Sequence, residues 1–328
     1  SSSAASDVYK RQALGSVVHG DMNGVQITGL ANLAGGTMRG VQLAGISNIS
    51  GNNTVGLSAA GLVNITGDRT QGVIISGLTS IGGDNTSGLM ISGFMNVTGN
   101  MASGLHFSGA ANITGQSFGG LMASGLLNVV GEHMNGLQMA GIANITASKL
   151  NGVQIALCNY ATQARGLQIG LVNYYKENMK GFQLGLVNAN PDTRVQMMVY
   201  GGNATPANIG VRFKNQLFYT ILGIGSMYQG LNDKFSASAS YRAGLSFTLY
   251  KGLSISGDLG YQHIEAFDNK DEVIPKRLYA LQARANLEYQ FTRKFGIFAT
   301  GGYGLTRFYN KSSNYDKGAI IEAGIVLF

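Results

Sequence analysis

The sequence has no tryptophan, one cysteine and three prolines in 328 residues, and only 12% of its residues are charged. The lone cysteine, Cys158, excludes an intrachain disulfide and any CxxC motif, so we interpret it as a small buried residue. Such sparse charge is unusual in a soluble domain but common where a protein face meets lipid or a neighbouring repeat. Glycine is abundant instead, with 49 residues.

Basic clusters and long apolar runs are also absent. The formal net charge is +7, but the lysines and arginines are scattered, so we predict no nucleic-acid partner. No stretch approaches eighteen consecutive apolar residues, which excludes a transmembrane helix. Membrane β-strands remain open, because they carry only an alternating apolar signal.

Residues 1–12, SSSAASDVYKRQ, differ in composition from everything that follows. The segment resembles a translated sequencing adapter of the kind found at the ends of metagenomic reading frames. We therefore predict a non-native leader, with any export signal missing from this chain.

Residues 13–190 repeat a sixteen-residue unit built of glycine, asparagine and aliphatic residues. We number each unit from position 0 at a glycine that recurs from Gly24, Gly40 and Gly56 to Gly152, with shortened copies following at Gly166 and Gly181. Aliphatic residues recur at positions 1, 3, 6 and 9. Position 8 carries a recurring asparagine, replaced once by Ser80; the asparagines are Asn32, Asn48, Asn64, Asn96, Asn112, Asn128 and Asn144.

The aliphatic columns favour a β-solenoid. In one straight strand alternate residues share a face, so position 6 would point away from positions 1, 3 and 9. A coil that bends at the position-5 glycine and again near position 8 brings all four columns inward. Coils stacked about 4.8 Å apart align identical residues, so we predict a ladder of asparagine amides. The alternative is one large barrel in which each repeat supplies a strand.

Residues 191–328 follow a different pattern. The run YALQARANLEYQF alternates apolar and polar residues and carries aromatic residues at both ends, as membrane β-strands do. Similar runs lie near 194–202, 207–214, 216–229, 236–250, 252–266, 278–292, 294–309 and 317–328. We predict an antiparallel barrel of about eight strands, too narrow for a water-filled pore. Charged residues predicted to pair in its interior are Arg242, Asp258, Arg284, Glu288 and Glu322.

The segments GLQIGLVNYY (166–175) and GFQLGLVN (181–188), followed by a barrel pattern that ends on Phe328, suggest a family. The chain resembles the bacterial surface-repeat proteins, whose GLQxGLVN units occur in Gram-negative outer-membrane proteins. The resemblance covers nearly everything after residue 20. It implies a location in the outer membrane of a Gram-negative bacterium, but no established activity and no functional residues.

No catalytic or metal-binding pattern is visible in the sequence. His106, His133 and His263 stand far apart, and acidic residues of the repeats such as Asp68 and Asp84 are isolated at linker positions. Neither a Ser/His/Asp nor an HExxH arrangement occurs. We therefore expect a protein that is not an enzyme and needs no cofactor.

The expected function is that of an outer-membrane surface protein. Its barrel would anchor or dock the repeat domain for a structural, adhesive or surface-interaction role. Its partners would be outer-membrane lipid and surface glycans or other envelope proteins. Two alternatives stay open: a wide outer-membrane channel formed by the repeats and the C-terminal strands together, and a secreted solenoid that binds glycans.

Overall fold

The chain forms two all-β units. A computed structural model describes residues 6–7, 10–12, 14–215, 217–226, 235–267, 277–309 and 314–328. The two compact units are Ser1–Gly185 and Leu186–Phe328. These ranges contain no helix that is long and apolar enough to cross a membrane. Of the predicted leader, residues 1–5 and 8–9 lie outside the described residues.

The first unit is a parallel β-solenoid in which a rung holds a longer and a shorter strand, and in its last three strands, of 12–13 residues, the short and the long strand are continuous. Its strands are β1 (Ser6–Asp7), β2 (Lys10–Gln12), β3 (Gly15–Val18), β4 (Met22–Thr28), β5 (Ala31–Ala34), β6 (Met38–Ala44), β7 (Ser47–Ser50), β8 (Thr54–Ala60), β9 (Val63–Thr66), β10 (Thr70–Ser76), β11 (Thr79–Gly82), β12 (Thr86–Ser92), β13 (Met95–Thr98), β14 (Met101–Ser108), β15 (Ala111–Thr114), β16 (Ser117–Ser124), β17 (Leu127–Val130), β18 (His133–Ala140), β19 (Ala143–Ile155), β20 (Cys158–Ile169) and β21 (Val172–Leu184).

Identical repeat positions stack in register. Gly72 in β10 lies between Gly56 in β8 and Gly88 in β12, and every paired residue of these strands is one repeat away. The short strands do the same, since β15 pairs in parallel with β13 and β17. The predicted solenoid is therefore confirmed. The alternative of one large barrel that includes the repeats is wrong.

From β4 to β18 the rungs bend at positions 5–6 and again at positions 11–12, whereas β19, β20 and β21 run through the second of these places without a bend. In the first complete unit these bends fall at Gly29–Leu30 and Gly35–Gly36. The second bend was expected near position 8, but Asn32 lies inside β5, so that expectation is wrong. The displaced bend reverses the predicted orientation of the aliphatic columns. Leu30 and Ile46 are 44% and 43% exposed, while the polar residues Gln42 and Asn48 are buried.

The position-0 glycines occupy a conformation and a space that only glycine tolerates. Their φ angles are positive throughout the column, with 117° at Gly24, 125° at Gly40 and 123° at Gly56. A Cβ atom on Gly56 would lie 2.2 Å from the carbonyl oxygen of Gly40 in the preceding rung. An L-residue at this position would therefore be strained and would also clash with backbone.

The second unit contains a closed antiparallel barrel. Its strands are β22 (Val187–Ala189), β23 (Arg194–Gly202), β24 (Ala207–Asn215), β25 (Phe218–Ser226), β26 (Ser236–Tyr250), β27 (Leu253–Ala266), β28 (Arg277–Thr292), β29 (Phe295–Phe308) and β30 (Asn314–Leu327). Strands β23 to β30 pair in chain order, and β30 pairs with β23 to close the barrel. The predicted eight strands are confirmed. Short turns at 251–252 and 293–294 alternate with longer connections at 227–235 and 267–276, as in outer-membrane barrels.

Candidate functional site

The described strands of the barrel bury three arginines and three carboxylates in the interior. Alternating side chains of each strand point inward, which collects polar residues from distant parts of the chain around one axis. All six charged residues are less than 8% exposed, and their formal charges cancel; they are Arg212, Arg242, Arg284, Asp258, Glu288 and Glu322.

Arg242 and Asp258 form the centre of this network. Arg242 Nε donates to Asp258 Oδ1 and Arg242 Nη2 donates to Asp258 Oδ2, each at 2.8 Å. The Tyr219 hydroxyl and the Asn286 amide each donate to Asp258 Oδ2 at 2.8 Å. The carboxylate therefore accepts four hydrogen bonds from three side chains, which is how a buried charge is compensated.

The other interior charges pair across the barrel. Glu322 lies 3.2 Å from Arg284 Nε and 3.5 Å from Arg242 Nη1, so it bridges two arginines. Glu288 accepts from Arg212 at 2.5 Å and 2.9 Å. The sequence analysis did not name Arg212. The alternation of β24 places Arg212 on the same inner face as Gly210, two residues before it, and this alternation could have identified Arg212 from the sequence.

Little space remains beside these side chains. The cavity bordered by Arg212, Arg242 and Glu288 measures about 10 Å³, room for about one water molecule. A closed eight-stranded barrel with this filling has no aqueous channel at that level. The wide channel considered from the sequence also required the repeats as barrel strands, and they are not.

The outer surface of the barrel is apolar and is bounded by aromatic residues. Large aliphatic and aromatic side chains project outward along the strands: Val195, Ile209, Ile224, Leu245, Phe247, Ile255, Leu259, Leu281, Leu287, Ile297 and Ile321. Near one end Phe291 packs on the rings of Tyr289 and Phe295. Near the other end Tyr279 packs against Tyr261 and Tyr309. This distribution matches the apolar band and aromatic girdles of membrane barrels.

The interior of the repeat unit contains amide ladders beside buried apolar side chains such as Met38, Phe118 and Leu150. Asn32 donates to Asn48 at 2.8 Å, and Asn48 donates to Asn64 at 3.0 Å. A second ladder runs from Asn96 through Asn112, Asn128 and Asn144 to Asn159 and Asn173, with distances of 2.8–3.1 Å. Hydroxyl groups extend the second ladder into the interruption, since Ser80 contacts Ser76 and Ser92, and Ser92 donates to Asn96.

Glutamines at position 2 form further ladders that the sequence analysis did not predict. Gln42 donates to Gln26 at 2.8 Å, and Gln154 donates to Gln138 at 2.8 Å. The column was too mixed to signal a ladder, because His106 and two methionines occupy its central rungs. Among the described residues His106 Nε2 has no hydrogen-bond partner, and burial lowers the pKa of this imidazole to about 4.

The apolar columns of the outer faces carry no charged residue, whereas position 15, which directly precedes the position-0 glycine in the long strands, is exposed and charged at Arg39, Arg165 and Lys180. Positions 1, 3, 6, 7 and 9 are occupied mainly by Val, Leu, Ile, Met, Phe and Ala in all units. Several of these side chains are strongly exposed, among them Phe94 at 55% and Ile142 at 52%. Cys158 belongs to the same outer surface and is exposed, so the interpretation of it as a buried residue is wrong.

Charge in the repeat unit is confined to one edge. Between residues 14 and 185 every Asp, Glu, Lys and Arg lies within the five residues that precede a position-0 glycine. This charged edge consists of Asp21, Arg39, Asp68, Arg69, Asp84, Glu132, Lys149, Arg165, Lys176, Glu177 and Lys180. From Asp21 to Glu132 these charges lie at or just after the second bend of a rung, whereas Lys149 and the charged residues after it lie inside β19, β20 and β21. Because the repeats stack in register, the charges lie along one side of the solenoid.

The described residues contain no cluster of three or more His, Cys, Asp or Glu side chains that could hold a metal ion. His263 contacts Glu265 at 3.3 Å on the barrel, whereas His106 is buried in the repeat unit. The described residues thus give a barrel with a charged interior, a repeat unit with amide ladders inside it, and an apolar outer surface on each.

The comparisons with known proteins include a weak match to a solved structure. The sequence matches no protein-family model and no curated protein. Among solved structures, the chain is similar to the N-terminal β-barrel domain of Pseudomonas aeruginosa OprF, with 15% sequence identity and a TM-score of 0.29. The match covers 40% of this chain and 93% of that domain. At this identity and score the similarity carries no inference about function.

Proposed function

We propose that this protein is a non-enzymatic outer-membrane protein of a Gram-negative bacterium whose barrel anchors a repetitive β domain. The observation that carries the proposal is the inside-out polarity of the barrel. An uncompensated charge in hydrocarbon is costly, so a membrane barrel keeps its charges inside and its aliphatic side chains outside. The barrel of this chain buries the Arg242–Asp258 pair and exposes Leu259, the neighbour of Asp258 in sequence.

The filled interior favours anchoring over transport. Arg212, Arg242 and Arg284 pair with three carboxylates across the axis where a solute would have to pass. Opening a path would separate buried charges, and each separation would leave an uncompensated ion. The barrel therefore acts as a rigid membrane anchor, and the repeat domain serves a structural, adhesive or surface-interaction role with surface glycans or other envelope proteins as partners.

The anchoring role is tested by expressing the full chain behind an export signal in a Gram-negative host. We expect the protein to stay in the outer-membrane fraction after washing with alkaline carbonate and urea. We also expect it to migrate faster on a gel before boiling than after it. A folded protein recovered in the soluble fraction would contradict the proposal and favour the secreted solenoid.

A pair of variants makes the test specific for lipid contact. Leu259→Arg places a charge on the outer face of β27, where the side chain is 72% exposed, and should sharply reduce the folded membrane fraction. Thr292→Arg introduces the same charge at the end of β28. This variant should be tolerated, because the free-energy cost of a charge on the outer face becomes small near the membrane interface. Equal tolerance of both variants would contradict a lipid-facing belt.

A further inference from the structure

The repeat unit, like the barrel, has an apolar exterior around buried polar columns, although its strands are parallel and its interior also holds apolar side chains such as Phe118 and Leu150. Amide ladders such as Asn96–Asn112–Asn128 lie inside, while aliphatic columns lie outside. A soluble solenoid would be expected to bury its aliphatic side chains and expose its amides. Exposed apolar surface on this scale marks an interaction or membrane site.

We propose that the solenoid itself is immersed in lipid, with its aliphatic faces among acyl chains and its charged edge at the headgroups. This inference goes beyond the anchoring function, because it assigns a membrane contact to the repeats independently of the barrel. The segregation of charge is the main support. Between residues 14 and 185 every Asp, Glu, Lys and Arg lies on the charged edge, within the five residues before a position-0 glycine, and none occupies the apolar columns at positions 1, 3, 6, 7 and 9.

The backbone meets the requirement that a lipid environment imposes. Hydrocarbon cannot satisfy free N–H and C=O groups, so strands in contact with it must be paired on both sides. From β5 to β20 each strand pairs in parallel with a strand of the rung before and of the rung after. The polar side chains of the interior are removed from the lipid and satisfied by the ladders.

The dimensions fit immersion from one side of a membrane. From position 15 at the charged edge to position 6 at the opposite bend the chain makes seven residue steps, which extend about 23 Å. The hydrocarbon core of a bilayer is about 30 Å thick, so a rung enters it without crossing it. The opposite bend is the most apolar part of the rung, with Leu78, Phe94 and Leu126 all strongly exposed.

Lipid covers the apolar outer faces of the repeat unit better than a second copy of the chain would. The apolar residues cover both sheets and the bend that joins them: Leu105 lies on the long-strand sheet, Ile81 on the short-strand sheet and Phe94 at the bend. A partner packed against one sheet would leave the other two surfaces in water. Acyl chains cover all three at once, and the mixed charges of the edge suit a headgroup layer.

The absence of tryptophan allows a direct test in the full chain, because one introduced indole reports on one site. Phe94→Trp probes the apolar bend, Gln116→Trp probes an exposed turn of the edge, and Leu259→Trp probes the barrel belt. Each variant is reconstituted in phosphatidylcholine vesicles with plain or brominated acyl chains. Leu126→Trp repeats the bend measurement two rungs further along, in case the first variant misfolds.

We expect brominated chains to quench the indoles at 94, 126 and 259 at least twofold and to leave the indole at 116 nearly unchanged. Quenching at 259 without quenching at 94 and 126 would overturn the inference and leave the anchoring function intact. Blue-shifted but unquenched emission at 94 and 126 would indicate a protein partner and would also overturn it. Quenching at 94 and 126 without quenching at 259 would support the inference and contradict the barrel anchor.

Discussion

Arg242 and Asp258 face each other in the barrel interior through two parallel hydrogen bonds of 2.8 Å, although sixteen residues separate them. The antiparallel pairing of β26 and β27 brings them close, because Arg242 pairs with Gly260, two residues beyond Asp258. A bidentate arginine–carboxylate pair is strong and directional, and here it is almost completely removed from water. It fixes the inner face of two strands whose outer faces carry the aliphatic belt.

Breaking this pair on one side should destabilise the barrel strongly. Arg242→Met leaves the Asp258 carboxylate buried with only neutral donors and removes one of the partners of Glu322. We expect the free energy of unfolding to fall by roughly 3–5 kcal/mol, the usual cost of an orphaned buried charge. Urea unfolding of the full chain in detergent micelles measures this value.

The double variant Arg242→Met/Asp258→Leu provides the control. Because both charges are removed, it should recover a large part of the loss caused by Arg242→Met alone. A double variant that is as unstable as the sum of the two single variants would show that the two side chains are not coupled.

Neighbouring glycines in β16 should respond oppositely to alanine. Gly120 has a φ of 129°, and a Cβ atom there would lie 2.2 Å from the carbonyl oxygen of Gly104. Gly120→Ala should therefore cost roughly 3 kcal/mol or more. A Cβ on Gly119 would have no atom within 4 Å, so Gly119→Ala should be neutral or stabilise by about 0.4–1 kcal/mol. Urea unfolding followed by circular dichroism compares them, and similar losses for both would contradict the stacking of the glycine column.

The amide ladder should be sensitive at its centre. Asn112 donates to Asn128 at 2.9 Å and to the carbonyl oxygen of Ala123 at 2.8 Å, and it accepts from Asn96. Asn112→Leu removes one hydrogen-bond partner from each of these buried groups. We expect the free energy of unfolding to fall by about 1–3 kcal/mol for each group left unsatisfied. Asn135→Leu is the matched control, because Asn135 contacts only an exposed amide at the edge. Thermal unfolding measures both variants, and an equal loss of stability in Asn112→Leu and Asn135→Leu would exclude a stabilising ladder.

His106 should make the repeat unit sensitive to acid. Burial lowers the pKa of its imidazole to about 4, below the usual 6.5, so the folded state prefers the neutral ring. The neutral imidazole therefore makes its full contribution to the free energy of unfolding above pH 6.5. This contribution declines as the pH falls from 6.5 to 4, and the total loss over that window is about 3 kcal/mol. His106→Met, which matches the neighbouring Met90 and Met122 of the column, should lose this part of the pH dependence. Unfolding midpoints at pH 4, 5, 6 and 7 measure it, and identical profiles for the two proteins would contradict the assignment.

The barrel could be predicted from the sequence almost completely. Membrane strands alternate apolar and polar residues over many positions. The alternation in the segment that forms β28 therefore predicted which of its residues point outward and which point inward, including the interior charges Arg284 and Glu288. Arg212 was not predicted as an interior charge, because β24 is short and its inward neighbours, Asn208 and Gly210, do not form a clearly polar face.

The repeat unit could be predicted only in part. The sixteen-residue period gives the stacking of rungs, but it does not say which face of each rung is inside. The prediction assumed that bulky aliphatic residues such as Leu30 seek the interior, as they do in water. That premise fails here, because short polar side chains such as Asn32 and Ser50 satisfy one another in the narrow space between the sheets.

The measurement that tests the account most directly is the folding of residues 186–328 alone. The fragment includes Asn188 and Leu186, whose carbonyl oxygens accept hydrogen bonds from Asn215 and Thr220 of the barrel. Refolded in detergent, it should give a protease-resistant band whose gel mobility changes on boiling, because β23–β30 close the barrel without the repeats. Failure of the fragment to fold under conditions where the full chain folds would contradict the claim that the barrel is a complete membrane anchor.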